Sequence, residues 1–143
     1  MQICPIAPEH LKELAQLYQE LLPNEISIAK MRAVLIRNQD NPNHLALVAM
    51  YRSKVVGSLL ACVCEMYFGQ CRPFMVVEDL VVKQEYRGQG IGTGLMQSAE
   101  AYARKLNCSY VMLLTDGDRD EAQRLYRSLG NADENYRGFK KHL

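Results

Sequence analysis

Four glycines occur at alternate positions in the stretch EDLVVKQEYRGQGIGTGLM, which spans Glu78 to Met96. Gly88, Gly90, Gly92 and Gly94 follow an apolar run that predicts a strand, and they precede a pattern that predicts a helix. A glycine in a helix costs roughly 0.5–1 kcal/mol of stability relative to alanine. Several glycines at a helix start therefore predict that a ligand lies close against this backbone.

The composition of the chain is that of one ordinary domain. Its 143 residues are 48% hydrophobic, which is enough for one sizeable core, so we expect a single domain over residues 1–143. The net charge of +1 gives no long-range attraction toward nucleic acid or an acidic membrane. No leader pattern is present, and no run reaches the roughly 18 apolar residues of a membrane span. These features predict a cytoplasmic protein whose partner is a small molecule.

The five cysteines predict neither a zinc site nor a disulfide framework, because they are odd in number and lack paired C-x-x-C spacing. Cys62 and Cys64 are two apart in a predicted strand and share a face. That arrangement leaves a metal or redox role open, but ordinary burial is the favoured interpretation. We therefore expect reduced thiols and no bound metal.

Hydrophobic periodicity predicts one sheet flanked by helices. A short strand and two amphipathic helices are followed by a β-hairpin that turns at Arg52–Lys54, and a further strand then leads into the glycine stretch. A helix, the strand SYVMLLT (109–115), another helix and a final edge strand in ENYRGFKKHL (134–143) complete the order. Hairpins early and a strand–helix–strand–helix order later predict an α/β (α+β) fold.

The glycine stretch has the features of a phosphate-binding loop. A turn between a strand and a helix start presents unpaired backbone N–H groups, and the helix dipole adds to their attraction for an anion. No Asp or Glu occurs from Arg87 to Met96, and Arg87 adds a cation. The mononucleotide P-loop lacks its lysine here, and the dinucleotide pattern G-x-G-x-x-G fails on spacing. The pattern that fits is R-x-x-G-x-G, formed by Arg87, Gly90 and Gly92.

This motif after a strand, together with AQRLYRSLG (122–130), resembles the GCN5-related N-acetyltransferase (GNAT) superfamily. The second segment is similar to the family pattern A-x-x-[LF]-Y-x-x-x-G. The resemblance implies a mixed, largely antiparallel twisted sheet of about six or seven strands, flanked by about four helices and splayed at an acetyl-CoA site. It implies acetyl-CoA as cosubstrate, with its pantetheine arm along one strand and its pyrophosphate on the loop. The residues so assigned are Leu80, Val81, Val82, Arg87, Gly88, Gln89, Gly90, Ile91, Gly92 and Thr93.

Acetyl transfer to an amine requires a base, because an alkyl amine with a pKa of about 10.4 is mostly protonated near neutral pH. Glu78 and Asp79 directly precede Leu80, and strand side chains alternate between faces, so we expect them to have different roles. Glu78 is the expected base, acting through a water; a buried acid held by an arginine is the alternative. Asp79 is expected to orient the amine or to make a structural hydrogen bond. Glu65 is a third candidate.

The resemblance implies that Tyr126, the tyrosine of the second motif, protonates the leaving sulfur; a core aromatic at helical spacing is the other interpretation. The backbone N–H of Leu80 is the expected donor to the oxyanion. The chain departs from the family pattern at two positions. Arg119 stands where many members carry asparagine, which puts its contact with the cofactor in question. Asn131 stands where an aromatic residue usually follows the glycine, which predicts an altered last hairpin.

The acceptor amine is the least determined part of the prediction. The EDLVV strand and the N-terminal helices are similar to members that act on small phosphorylated or phosphonated amines. Arg137, Lys140 and Lys141 are candidates to pair with such an anion, although a solvated chain end is the favoured interpretation. A protein or peptide acceptor and a non-catalytic acetyl-CoA-binding module remain as alternatives. The resemblance also leaves a homodimer open.

Overall fold

The computed structural model describes residues 1–21, 25–115, 119–135 and 137–143. These residues form the strands β1 (Gln2–Pro5), β2 (His44–Tyr51), β3 (Lys54–Cys64), β4 (Phe74–Val82) and β5 (Val111–Leu113). Their α-helices are α1 (Leu11–Leu21), α2 (Ile28–Asn38), α3 (Ile91–Lys105) and α4 (Asp120–Ser128). Short 3-10 helices lie at Pro8–His10 and Gln84–Tyr86. No helix in these ranges is long and apolar enough to cross a membrane.

The five strands form one mixed sheet in the order β1-β2-β3-β4-β5. Neighbours from β1 to β4 are antiparallel, and β5 runs parallel to β4. The predicted fold class is confirmed, although the described residues form five strands instead of six or seven. The predicted edge strand at 134–143 is wrong for the part of that segment that is described, which has no regular structure and exposed side chains. Consecutive polar residues at 140–142 give that tail no apolar face to bury.

Helices cover both faces of the sheet. On one face, here called the α3 face, the predicted apolar stripe of α3 packs on the central strands. Tyr126 of α4 and Leu129, which directly follows α4, pack at the edge of this core. On the other face, here called the α1 face, Leu14 and Leu17 of α1 pack against Val48 and other residues of the sheet. The buried residues of the stripe are Ile91, Leu95, Met96, Ala99 and Ala103.

The hairpin between β2 and β3 confirms the predicted turn. Arg52 and Ser53 have φ angles of 47° and 63°, so both central residues are left-handed. Two such residues form the type I′ turn, whose twist matches that of the flanking strands. The pairing of β2 with β3 then shifts by one residue between Ala49 and Met50, so a β-bulge follows the turn.

Candidate active site

The strand that carries Glu78 and Asp79 contains a β-bulge. The register with β3 shifts between Ser58 and Leu60, so that Asp79 and Leu80 of β4 together stand opposite a single residue. Asp79 has a φ of 49°, in the left-handed region that is uncommon for residues other than glycine. Backbone strain of this kind costs on the order of 1–3 kcal/mol and concentrates at functional sites.

The extra residue in the bulge changes which face of the sheet the following side chains of β4 occupy. Val77 before the bulge packs on the α3 face, and so do Leu80 and Val82 after it. Simple alternation would place Leu80 and Val82 on the face opposite Val77. Val81 packs on the α1 face. The two acidic residues therefore lie where the strand exchanges faces, and both are exposed.

Beyond the bulge, one edge of β4 has no partner strand within the described residues. β5 pairs with β4 only at Met75–Val77. The N–H of Lys83 donates to the carbonyl of Val56 on β3 at 2.9 Å. Because successive residues direct their N–H and C=O groups to alternate edges, Leu80 and Val82 direct theirs to the open edge. The sheet is thus splayed where the sequence resemblance implies that it should be.

The loop before α3 requires glycine at two positions. Gly88 has a φ of 71°, and Gly90, which precedes the helix, has a φ of 79°. Gly90, the N-cap residue of α3, has no side chain to cap the helix, and the first turn of α3 contains no acidic residue. The N–H of Gly94 bonds to the carbonyl of Gly90 at 2.9 Å, which leaves the N–H groups at Ile91–Thr93 without helical partners. This backbone has the geometry of an anion site.

Packing within the protein explains the other two glycines. A Cβ at Gly92 would lie 3.0 Å from Cδ2 of Leu125 on α4, and a Cβ at Gly94 would lie 2.9 Å from Cδ1 of Ile3 on β1. Favourable contacts between carbon atoms need about 3.5–4.0 Å. Glycine at these positions therefore lets β1 and α4 approach α3. The prediction that glycine allows a ligand to approach the backbone therefore applies to Gly88 and Gly90, and not to Gly92 and Gly94.

Arg87 is tied to the open edge. Its Nε donates to the carbonyl of Val82 at 3.2 Å, and its Nη1 lies 4.0 Å from Oε2 of Glu121 on α4. The side chain is still 43% exposed. Since a guanidinium group has five N–H donors, these contacts leave donors for an anion at the loop.

The remaining loop residues differ in what they can offer a ligand. Gln89 is exposed, and its Nε2 donates to the carbonyl of Glu85 at 3.3 Å. Ile91 is buried in the core, so only its backbone N–H faces the loop. Thr93 is half-buried.

Tyr126 is held on α4 against the core of the α3 face. Burial raises the pKa of its phenol above the ordinary value of 10.0, and the Arg119 cation offsets part of that rise. A phenol with a raised pKa stays protonated near neutral pH, as a proton donor must. Core packing and proton donation are therefore compatible at this position.

Asn131 caps the helix that carries Tyr126. Its backbone N–H and its Nδ2 donate to the carbonyl of Tyr126 at 3.0 Å and 3.2 Å. Gly130 has a φ of 85° and supplies the left-handed residue that the sequence predicts for the end of α4. The residue that replaces an aromatic in the family pattern thus supports the turn that carries Tyr126.

The structure separates the three acidic candidates. Glu78 and Asp79 lie together at the bulge, and neither pairs with a described cation, so the alternative of a buried Glu78 held by arginine does not fit. Burial, Cys64 and then the Glu78 carboxylate raise the pKa of the Cys62 thiol. Glu65 follows the far end of β3, about 20 Å along the strand from Leu59, the residue opposite the bulge.

Two other groups of candidates remain, the Cys62 thiol near Glu78 and the basic residues of the tail. Cys62 is exposed, so its expected burial is wrong, and its thiol is free. No cluster of three or more His, Cys, Asp or Glu side chains in the described ranges is placed to hold a metal. Arg137, Lys140 and Lys141 are exposed in the irregular tail.

One polar pair beside the bulge is not predicted by the sequence. Ser58 of β3 is only 2% exposed, and its Oγ donates to the hydroxyl of Tyr18 on α1 at 3.2 Å. Burial raises the pKa of Tyr18, the bond from Ser58 lowers it, and the Asp79 carboxylate raises it further, so the phenol lies within electrostatic reach of the bulge. The only signal in the sequence is a lone hydroxyl in the apolar run VVGSLLACV (55–63).

Comparisons with known proteins agree with this geometry. Residues 11–130 match the model of the acetyltransferase (GNAT) family. An aminoalkylphosphonate N-acetyltransferase from Salmonella typhimurium is 27% identical, over 100% of this chain and 94% of the relative. N-alpha-acetyltransferase 30 from Schizosaccharomyces pombe is also 27% identical, over 90% and 81%. The structure of an aminoglycoside acetyltransferase from an uncultured soil sample has a TM-score of 0.83 at 25% identity, over 99% and 95%.

These findings connect the two halves of the site. Proteins of the matched family take their acetyl group from acetyl-CoA. The match spans both the glycine loop and the helix that carries Tyr126, and it makes the chain an acyltransferase. The resemblance inferred from two short motifs is confirmed: the chain belongs to the acetyltransferase (GNAT) family.

Proposed function

We propose that the chain transfers an acetyl group directly from acetyl-CoA to the primary amine of a small molecule. The observation that carries this proposal is the open edge of β4 at Leu80–Val82, which precedes the uncapped start of α3 by one short loop. An extended ligand arm can add to that edge as a further strand, while its pyrophosphate meets the helix start.

The residues present fit acetyl-CoA. Backbone groups of Leu80 and Val82 would pair with the pantetheine arm, and the N–H groups of the loop from Gly88 through Thr93 would hold the pyrophosphate. No acidic side chain in the first turn repels an anion, and Arg87 adds positive charge. When bound, acetyl-CoA supplies the activated acetyl thioester.

Glu78 and Tyr126 approach β4 from opposite faces. Tyr126 packs on the α3 face. Ala61 and Val63 of β3 are also on that face, so Cys62 between them, and Glu78, whose carboxylate acts on it, lie on the α1 face. An amine that arrives from the α1 face therefore meets Glu78, and a sulfur that leaves toward the α3 face meets Tyr126.

The steps balance with these two groups. The Glu78 carboxylate accepts one proton of the ammonium group through a water, and the neutral amine nitrogen then forms a bond to the acetyl carbon and releases its second proton to solvent. The N–H of Leu80 donates to the acetyl oxygen as negative charge develops there. The carbon–sulfur bond breaks, and Tyr126 donates its proton to the sulfur. Solvent then restores the proton of Tyr126 and removes that of Glu78.

The acceptor class that we favour is a small amine with an anionic group, such as an aminoalkylphosphonate or an amino sugar phosphate. A relative named for aminoalkylphosphonates aligns with the whole of this chain, which supports that class. A peptide amine is the second candidate, because a relative named as an N-alpha-acetyltransferase aligns with 90% of it.

The experiment is mass-spectrometric detection of acetylated products from acetyl-CoA and a mixed panel. The panel contains an aminoalkylphosphonate, glucosamine 6-phosphate, an aminoglycoside, a polyamine and lysine or free-amine peptides. Acetylated small amines would support the proposal, and acetylated peptides alone would favour the second candidate. No product from any member would overturn both.

Glu78→Gln tests the base, with Glu65→Gln as the matched control because it makes the same change away from the bulge. We expect Glu78→Gln to lower kcat by roughly 10²–10⁴-fold and to flatten its rise with pH. An unchanged pH profile for Glu78→Gln would assign the proton to another group or to water.

A further inference from the structure

We propose that Tyr18 and Asp79 together bind the amino group of the acceptor, and that buried Ser58 is the positioning residue that holds the Tyr18 phenol in place. This inference rests on the proposed function and specifies the acceptor side of the same site. It assigns a binding role to α1, on which neither sequence motif lies.

The phenol of Tyr18 is fixed by its surroundings. Ser58 is 2% exposed, and its hydroxyl donates to the Tyr18 oxygen at 3.2 Å. Leu14 and Leu17, which lie on the same helix, are 3% and 2% exposed in the core of the α1 face. A side chain that is anchored on a packed helix and bonded to a buried hydroxyl loses little entropy when a ligand binds.

The phenol keeps capacity for a further hydrogen bond. A tyrosine oxygen can accept two hydrogen bonds and donate one, and Ser58 uses one of the two acceptor positions. Ser58 is paired with Val81 of β4, two residues after Asp79, so the phenol bonded to Ser58 lies beside the bulge, and among the described side chains it makes no direct hydrogen bond to the Asp79 carboxylate. A primary ammonium group has three N–H donors, so it can bridge the phenol oxygen and the carboxylate.

The position of Asp79 suits binding of the reacting nitrogen. It is exposed, it is held at a φ of 49° by the bulge, and it directly precedes Leu80, whose N–H we assign to the acetyl oxygen. Asp79 therefore lies between the residue whose N–H would hold the acetyl oxygen, Leu80, and the proposed base, Glu78. A nitrogen bound at Asp79 would be next to both groups. The two neighbouring acids then have separate roles, since Asp79 binds the ammonium and Glu78 accepts its proton.

Tyr18→Phe tests this assignment through the split between KM and kcat, measured with the panel member that the wild-type protein acetylates fastest. We expect KM for that amine to rise roughly 10–100-fold, because a hydrogen bond to a charged group is lost. KM for acetyl-CoA and kcat should stay within about threefold, because neither the loop nor Glu78 changes. Ser58→Ala should raise the amine KM in the same direction but less.

The matched control is Tyr102→Phe, which removes a phenol hydroxyl whose O–H group donates to the carbonyl of Pro42 at 2.9 Å. It should leave both KM values unchanged. Asp79→Asn keeps the test valid if Tyr18→Phe does not fold, since Asp79 is exposed, and it should also raise the amine KM.

The two proposals fail in different ways. An unchanged amine KM in folded Tyr18→Phe or Asp79→Asn, beside an active wild type, would overturn this inference and leave the proposed function intact. An equal loss of affinity for acetyl-CoA and amine would also overturn it, because it would show a structural role. A wild-type protein that acetylates no member of the panel would overturn both proposals.

Discussion

Replacing Gly90 with alanine tests whether the glycine loop is a backbone device for binding an anion. Gly90 has a φ of 79°, and a Cβ added there would meet no described atom within 4 Å. Alanine therefore causes no steric clash, and the only penalty comes from the left-handed backbone. If the loop keeps its shape, the penalty appears as lost stability; if it relaxes, the N–H groups move and affinity falls.

The expected change in unfolding free energy for Gly90→Ala is the difference between two opposing contributions. The left-handed conformation costs an alanine about 1–2 kcal/mol. Alanine also lowers the entropy of the unfolded chain, which offsets about 0.4–1 kcal/mol. The net loss in unfolding free energy is then at most about 1.6 kcal/mol and near 0.8 kcal/mol at the middle of both ranges, or about 2–4 °C in Tm for a chain of this size. The Gly90→Asn variant should lose less unfolding free energy than Gly90→Ala, because asparagine tolerates the left-handed conformation better.

The assay combines thermal unfolding with calorimetric titration of acetyl-CoA. We expect the Kd of Gly90→Ala to rise roughly tenfold or more, since one misplaced hydrogen bond to a charged group is worth about 1.5–3 kcal/mol. Gly69→Ala is the matched control. Gly69 also has a positive φ, 62°, and open space around its Cβ, but it lies in the loop between β3 and β4. The Gly69→Ala variant should lose a similar amount of unfolding free energy, and its Kd for acetyl-CoA should not change.

Three results would refute this reasoning. Equal losses for Gly90→Ala and Gly90→Asn would show that added bulk, and not the φ angle, is responsible. A wild-type Kd in Gly90→Ala, with the expected loss of stability, would show that the loop keeps its shape with alanine and that the expected loss of affinity is wrong. Weakened binding in Gly69→Ala would show that affinity follows stability in general.

Two further predictions concern the leaving group and the tail. Tyr126→Phe should lower kcat by roughly 10²–10⁴-fold while the Kd for acetyl-CoA from titration stays within about twofold, because only the donated proton is lost; an equal collapse of binding would make Tyr126 structural. Burial raises the pKa of this phenol above 10.0, so the contribution of the phenol to stability is present below pH 10 and is lost as the pH rises through the raised pKa. Tyr126→Phe should therefore reduce the decrease in Tm at alkaline pH. Arg137→Ala and Lys140→Ala should leave kcat/KM unchanged within about twofold for phosphorylated and unphosphorylated amines alike, since these side chains are solvated in an irregular tail. A loss confined to the phosphorylated amine would instead assign them to the acceptor site.

Features that depend on neighbours in sequence are predictable here. The hairpin turn at Arg52–Lys54, the apolar stripe of α3 and Gly130 at the end of α4 all follow from local turn residues or from periodicity. The uncapped and acid-free start of α3 is equally visible in the sequence. These local signals are sufficient to identify the family, because its motifs are made of such elements.

Features that depend on pairing between distant segments are not predictable from one sequence. Nothing in EDLVV marks a bulge, because it arises from the register of β4 against β3. The bond between Ser58 and Tyr18 joins residues 40 apart, and each residue alone fits an ordinary strand or helix. Because of this bulge, simple alternation gives the wrong face of the sheet for the residues of β4 after Glu78. Alternation therefore cannot predict which ligand group lies next to Glu78 and which lies next to Asp79.

The bulge itself reconciles packing with chemistry. A regular strand that buries Val77 on the α3 face would turn Leu80 and Val82 away from that core. The extra residue returns both to the core and leaves the strain on exposed Asp79. Burying even half of two such side chains contributes on the order of 1–3 kcal/mol, which is comparable to the cost of one left-handed residue. The core thus holds β4 in the irregular form that leaves its edge beyond the bulge unpaired within the described residues and keeps Glu78 and Asp79 exposed.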